Sequence, residues 1–248
     1  STSKADNGIR FIDLNGDGLT DMLQDYKNGS ATEREAFINN GKGWSNSTSW
    51  NSPEPFTSTG KNVGRRIGDV NGDGFGDIII GYNDGSSDIK RTLIRNSTIP
   101  YLLKNITNEF GGLTYLEYSI STIFNNSGND SLSDIGFNIF VVSNVSQDNK
   151  LISDFNVLSN TSYIYFGGIY DYEDAEFRGF NIVNETLSEK STIIHYFLQD
   201  KILKGKEYKT EIFDSNSNIY SRNENNYNIT TKNNSIYITN LLSAASYT

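Results

Sequence analysis

The chain has 248 residues, no cysteine, a formal net charge of -9 and a pI near 4.7. That length buries a substantial core in one large or two ordinary domains, the missing cysteine excludes disulfide frameworks and thiolate metal sites, and the acidic balance excludes a nucleic-acid backbone or an anionic bilayer as the main partner. No apolar run reaches the roughly 18 residues of a spanning helix and no signal peptide opens the sequence, so no direct membrane insertion is expected, and a start without Met inside a pattern reads as a piece of something longer.

Residues 1–95 predict short strands at 9–12, 22–26, 35–39, 63–67, 77–82 and 88–94, joined by a Gly-rich turn at 40–43 and a Ser/Pro loop at 45–60. An acidic cassette interrupts them twice, as Asp13-Leu14-Asn15-Gly16-Asp17-Gly18-Leu19-Thr20-Asp21 and as Asp69-Val70-Asn71-Gly72-Asp73-Gly74-Phe75-Gly76-Asp77. Side-chain oxygens at positions 1, 3, 5 and 9, a backbone carbonyl at 7 and Gly at 6 match the spacing of calcium loops. The expected ligands are therefore Asp13, Asn15, Asp17, Leu19 and Asp21, and Asp69, Asn71, Asp73, Phe75 and Asp77, each set holding one structural Ca2+. An EF-hand would carry Glu at position 12, whereas Gln24 and Ile80 stand there inside strand-like sequence. Arg10 and Arg66 precede the two cassettes in the same phase, which marks a structural repeat. Repeats of this length, each a few strands around a loop, predict blades of a partial β-propeller.

From residue 96 the sequence alternates Ile, Val, Tyr, Phe and Thr runs with Asn, Ser and Gly punctuation. Strands are predicted at 101–106, 112–120, 137–145, 150–157, 161–166, 191–198, 206–213, 217–222, 225–230 and 234–240. Leu113 to Tyr118 and Ser162 to Phe166 alternate with period two, the mark of half-buried strands. The fold class is all-β, with an extended antiparallel sheet in residues 96–248 following the calcium-loop region in residues 1–95. The 15 Tyr and 14 Phe lie at strand spacing and read as cross-strand pairs on that sheet. The Asn-x-Ser/Thr triplets follow from composition alone.

The two cassettes resemble the integrin-type propeller repeat known as FG-GAP or VCBS, and Asn39-Asn40-Gly41-Lys42-Gly43-Trp44 is similar to the strand and turn after it in bacterial toxin versions. The segment Gly167-Gly168-Ile169-Tyr170-Asp171, closing at Glu176-Phe177-Arg178-Gly179-Phe180, resembles the signature of the middle region of the B component of ABC-type insecticidal toxin complexes (Tc toxins) and related secreted virulence proteins. Leu103 to Gly112, His195-Tyr196-Phe197 with Asp200, and Leu203-Lys204-Gly205 follow in the family order. The resemblance implies a non-catalytic, secreted structural part of a toxin complex, forming or supporting a β-shell that encloses a toxic domain and docks on a channel subunit. Its implied partners are other parts of its own longer chain, a channel-forming toxin subunit and an RHS-repeat toxin component. The alternative is an extracellular calcium-dependent adhesin or carbohydrate-binding module.

No constellation for catalysis emerges. His195 is the only imidazole and has no second His, Cys or triad partner at a recognised spacing, so it reads as a packed or edge histidine. Glu173, Asp174 and Glu176 read as a turn neutralised by Arg178, with Phe177 buried, and Phe180 reaches the same face as Phe177 only if a bulge near Gly179 re-aims it. ADP-ribosyl transfer, raised by the resemblance, needs Ser-Thr-Ser before Glu-x-Glu, whereas Ser47-Thr48-Ser49 follows Glu33 and Glu35.

Overall fold

The computed structural model describes residues 5–95, 102–127, 133–148, 159–232 and 236–247. They divide into two compact units, Ser1–Leu102 and Leu103–Thr248. The strand expected at 150–157 lies outside the described residues.

The first unit holds two sheets. Strands β1 (Ile9–Ile12), β2 (Asp21–Asn28), β3 (Ala31–Asn39), β4 (Trp44–Asn46), β5 (Thr57–Ser58) and β6 (Lys61–Asn62) form one of six strands. Strands β7 (Arg65–Gly68), β8 (Asp77–Asn83) and β9 (Asp88–Leu93) form one of three. Burial along β2 alternates, with Asp21, Leu23 and Asp25 inward, as a strand with one covered face requires. Leu14, Leu23, Ala36, Phe56, Ile78 and Ile80 make the core, so both sheets and the first cassette feed it. Each Leu, Ile and Phe among them contributes roughly 1.5–3 kcal/mol through burial.

This arrangement corrects the propeller expected from the FG-GAP/VCBS likeness. A propeller needs equivalent blades, but the first repeat gathers six strands and the second only three. The difference comes from residues 45–60, expected as loop. They supply β4 and β5, and β5 adds to β2 in parallel through Tyr26 opposite Thr57. Among the described residues no sheet closes into a ring.

Among the described residues the second unit is one antiparallel meander of nine strands, in which spatial order equals chain order. They are β10 (Asn105–Thr107), β11 (Leu113–Ile120), β12 (Phe140–Asp148), β13 (Ser159–Asp171), β14 (Glu176–Thr186), β15 (Thr192–Phe197), β16 (Glu207–Phe213), β17 (Ile219–Lys232) and β18 (Ile236–Tyr247). Among its described hydrophobic residues only Ile135 and Val141 are fully buried, and the central strands are half-buried along their whole length. Cross-strand contacts rather than a core hold it, for example the rings of Tyr165 and Phe180 with centroids 4.9 Å apart. Strand β14 was not among the sequence-derived strands because Gly179 and a cluster of charges read as turn.

Candidate functional site

The two cassettes repeat bond for bond. In the first, Asp13 Oδ1 accepts the Gly16 N–H at 2.7 Å and Oδ2 the Gly18 N–H at 2.8 Å. In the second, Asp69 accepts the Gly72 and Gly74 N–H groups at 2.7 and 2.8 Å. Asn15 and Asn71 accept the N–H of Asp17 and Asp73 and donate back to their carboxylates. The other oxygens of Asp17 and Asp73 accept the N–H groups of Leu19 and Phe75. Both ninth residues are buried staples. Asp21 accepts from Leu14 and Asn39, and Asp77 from Val70 and Arg95, so each ties the cassette to a point 18 residues downstream.

The equivalence extends upstream of the loops. Arg10 donates to Asp6 and Arg66 to Asn62, four residues back in each case. Gly8 and Gly64, at φ +71° and +78°, face the Asp25 and Gly81 carbonyls so closely that a Cβ would sit 2.2 Å from either oxygen. The copies also pack on each other: Phe75 lies over Gly16, and Ile12 over Gly76. The repeat read from the sequence is thus real at the level of hydrogen bonds.

Calcium is the part that the structure corrects. Among the described residues no three His, Cys, Asp or Glu side chains converge where a metal ion could be held. The carboxylates of Asp13, Asp21, Asp69 and Asp77 accept from backbone N–H donors, and those of Asp17 and Asp73 from one backbone N–H and one Asn side-chain amide each, so their charges are met by amide dipoles. Burial pushes the Asp21 carboxyl above the ordinary carboxylate range, against the lowering by the Asn39 and Leu14 N–H groups. The N–H groups at positions 4, 5, 6 and 7 close Asx-type turns, and with no converging ligand cluster among the described residues the calcium-binding reading of the two loops falls.

In the second unit the Gly167 to Phe180 signature forms a hairpin, with Asp171 opposite Glu176. Its register shifts between Gly168 and Tyr170, where Gly179 adopts φ +87° on the facing strand. That bulge brings Phe177 and Phe180 to one side, with ring centroids 5.4 Å apart and edge to face. Arg178 pairs with Asp171 and Asp174 at 2.7 Å each, Lys201 with Asp174, and Lys204 with Glu176. Asp171, Asp174 and Glu176 are therefore neutralised in place rather than set up as an acid–base pair. Phe177 is half-buried rather than fully buried. Gly168 is required by close approach, since a Cβ there would meet Ile135 Cδ1 at 2.3 Å, and its N–H donates to Asn126. Gln199, unmarked in the sequence, donates to the carbonyls of both Gly167 and Gly179. His195 sits between Glu185 and Glu207, partners brought in by neighbouring strands and invisible to spacing along the chain.

Exposed apolar side chains occur along the chain, several of them on the last hairpin. Tyr237 and Ile238 are sequence neighbours and so stand on opposite faces of β18, while Leu241 (56% exposed) and Leu242 (69%) lie at its register shift. Ile236–Tyr247 carries no charged residue, and β18 pairs only with β17 among the described strands. Among the described residues no helix is long and apolar enough to cross a membrane.

The family described as the insecticide toxin TcdB middle/N-terminal region matches residues 47–211. Among solved structures, TcdB2-TccC3 without its hypervariable C-terminal region is similar with a TM-score of 0.71 and 18% identity, over 97% of this chain and 14% of that one. TcdB2-TccC3 is similar at 0.70 and 17% identity, over 97% and 15%. A mutant Tc holotoxin pore from Photorhabdus luminescens is similar at 0.68 and 15% identity, over 97% and 14%. No curated protein matches the chain. The chain therefore spans only a small part of the solved chains that it resembles, and at these identities the likeness is one of fold.

Proposed function

Because the chain belongs to the family of the insecticide toxin TcdB middle/N-terminal region, we propose that it is a non-catalytic structural part of a secreted toxin complex that builds or supports a β-shell around a toxic domain. The observation that carries this reading is the open nine-stranded meander ending in β18, an uncharged strand with apolar side chains exposed on both faces. Proteins that stand alone blunt such an edge with charge or Pro, and β18 carries neither, only a bulge at Leu242. An edge of this kind fits continued strand pairing inside a larger wall. Residues 1–95 are assigned to a compact repeat-bearing part and residues 96–248 to the wall. Other parts of its own longer chain, an RHS-repeat toxin component and a channel-forming subunit are the partners in this reading, and its location is extracellular. Its similarity in fold to TcdB2-TccC3 assemblies and to a Tc holotoxin pore supports those assignments. The adhesin alternative rested on calcium loops and loses that support.

A charge placed in the edge tests the reading. In the longer chain that carries this segment, Leu242→Lys should abolish or sharply reduce co-elution with the RHS-repeat component on size exclusion, whereas a substitution at exposed Glu173 should not. Unchanged assembly of Leu242→Lys would overturn the wall assignment.

A further inference from the structure

We propose that His195, Glu185 and Glu207 form a proton-operated clasp across β14, β15 and β16, closed while the imidazole is protonated and released as the pH rises through the range in which histidine loses its charge. The inference stands on side-chain geometry within the second unit and is independent of the shell reading.

His195 Nδ1 lies 2.6 Å from Glu207 Oε1, and its Nε2 lies 3.2 Å from Glu185 Oε2. The residues directly opposite His195 are Val183 on β14 and Thr210 on β16, so neither glutamate is its register partner. Glu207 faces Phe197 instead, and the register shift between Tyr196 and Phe197 turns it back toward the imidazole. The glutamates are held from behind: the Thr210 hydroxyl donates to Glu207 Oε1 at 2.7 Å, and the Tyr163 hydroxyl on β13 donates to Glu185 Oε1 at 3.3 Å. Phe197 stacks on the imidazole at 6.2 Å between centroids and 19° between planes, which fixes the ring's orientation.

The proton inventory then decides the behaviour. An ionised carboxylate only accepts hydrogen bonds, and a neutral imidazole has one N–H, so only the imidazolium donates to both glutamates at once. Among the described residues neither glutamate pairs with a lysine or arginine, which leaves the imidazolium as their shared counter-charge. Glu185, Glu207 and Tyr163 are the titratable groups facing this site from the adjoining strands, while Lys209 sits over the Tyr196 ring on the other face of the sheet. Loss of the ring proton turns one carboxylate toward a nitrogen lone pair, and attraction across one of the two seams becomes repulsion. The closed clasp therefore needs the imidazolium together with both carboxylates, and a neutral ring can keep only one of the two seams.

The single histidine of the chain gives one set of imidazole signals. We would follow these by NMR from about pH 5 to 8, together with amide protection factors, already corrected for intrinsic exchange, in β14, β15 and β16. Protection in these strands should fall about tenfold over the interval in which the ring signals move, as loss of one charge-assisted hydrogen bond implies. His195→Gln should show no such step. Should that variant fail to fold, Glu185→Gln should shrink the step while leaving the fold intact. A ring that titrates while protection stays constant, or a variant that keeps the wild-type step, would overturn the clasp.

Discussion

The two units of this chain are both all-β, yet they are held together by different physics. In the first unit, six fully buried apolar side chains form one core, and two copies of an acidic loop are locked by buried aspartates that accept backbone N–H groups. In the second, almost every central residue is half-buried, and stability is spread over cross-strand rings, ion pairs and five register shifts. A closed core concentrates the effect of mutation at a few points, whereas an open sheet distributes it. The contrast teaches that acidic repeats need no cation when their backbone closes on the carboxylates, and that a wide sheet needs no core when each inner strand has two partners.

Truncation in the core should produce the largest loss. Phe56→Ala removes a side chain with no exposed surface and should cost about 3–5 kcal/mol in denaturant unfolding. Phe177→Ala, at a half-buried position in the sheet, should cost about 1–2 kcal/mol. Equal losses would mean that the sheet is packed like the core and would break the comparison.

Glycine replacements sharpen it. Gly8→Ala forces a methyl group against the Asp25 carbonyl at a left-handed backbone position and should cost about 2–3 kcal/mol. Gly179→Ala meets open space and should cost only the left-handed penalty of about 1 kcal/mol. Thermal melts of the two variants, compared at one pH, check the order, which a larger loss at Gly179 would reverse.

Two carboxylates, one in each unit, should also respond to acid with opposite signs. Burial holds the Asp25 carboxyl above the ordinary carboxylate range, even with Arg34 at 3.0 Å. A raised value in the folded state means that the contribution of Asp25 is fully present below its unfolded pKa, about 3.9, and is lost as the pH rises through the folded one. Lys201 and Arg178 hold Asp174 below the ordinary range, so its contribution is present above the unfolded pKa and is lost as the pH falls through the folded one. Asp25→Asn should therefore flatten the loss of melting temperature toward neutral pH, and Asp174→Asn should blunt the loss on acidification. Matching pH profiles for both variants would contradict this.

The smallest effect expected is that of calcium. Melting curves recorded with calcium and with a chelator should coincide, because the loop carboxylates already accept hydrogen bonds from their own backbone. Asp13→Asn keeps one acceptor oxygen and should cost about 1 kcal/mol, the size of a lost cap. A calcium-dependent rise in melting temperature would show that cations rather than peptide dipoles balance these loops.

Local and periodic information was legible before any coordinates. The period-two runs of β11 and β13 mark strands, the common phase of Arg10 and Arg66 marks a repeat, and the spacing of Phe177 and Phe180 allows a shared face only with a bulge, which is found at Gly179. Pairing of Arg178 with Asp174 followed from proximity along the chain. Each of these depends on residues a few positions apart, whose relation the backbone period dictates.

Other features depended on partners that local pattern does not encode. The parallel addition of β5 to β2 turned an expected loop into sheet and removed the equivalence on which a propeller depends. The Asp21 and Asp77 staples reach 18 residues downstream, and the two glutamates reach His195 from neighbouring strands. Sequence by itself determined the all-β class, the repeat and the family signature, because these are written in spacing and residue type. Tertiary structure alone decided what neutralises the cassette carboxylates, since the direction of the N–H groups at Gly16, Gly18, Gly72 and Gly74 is a property of the folded backbone and not of its ligand spacing.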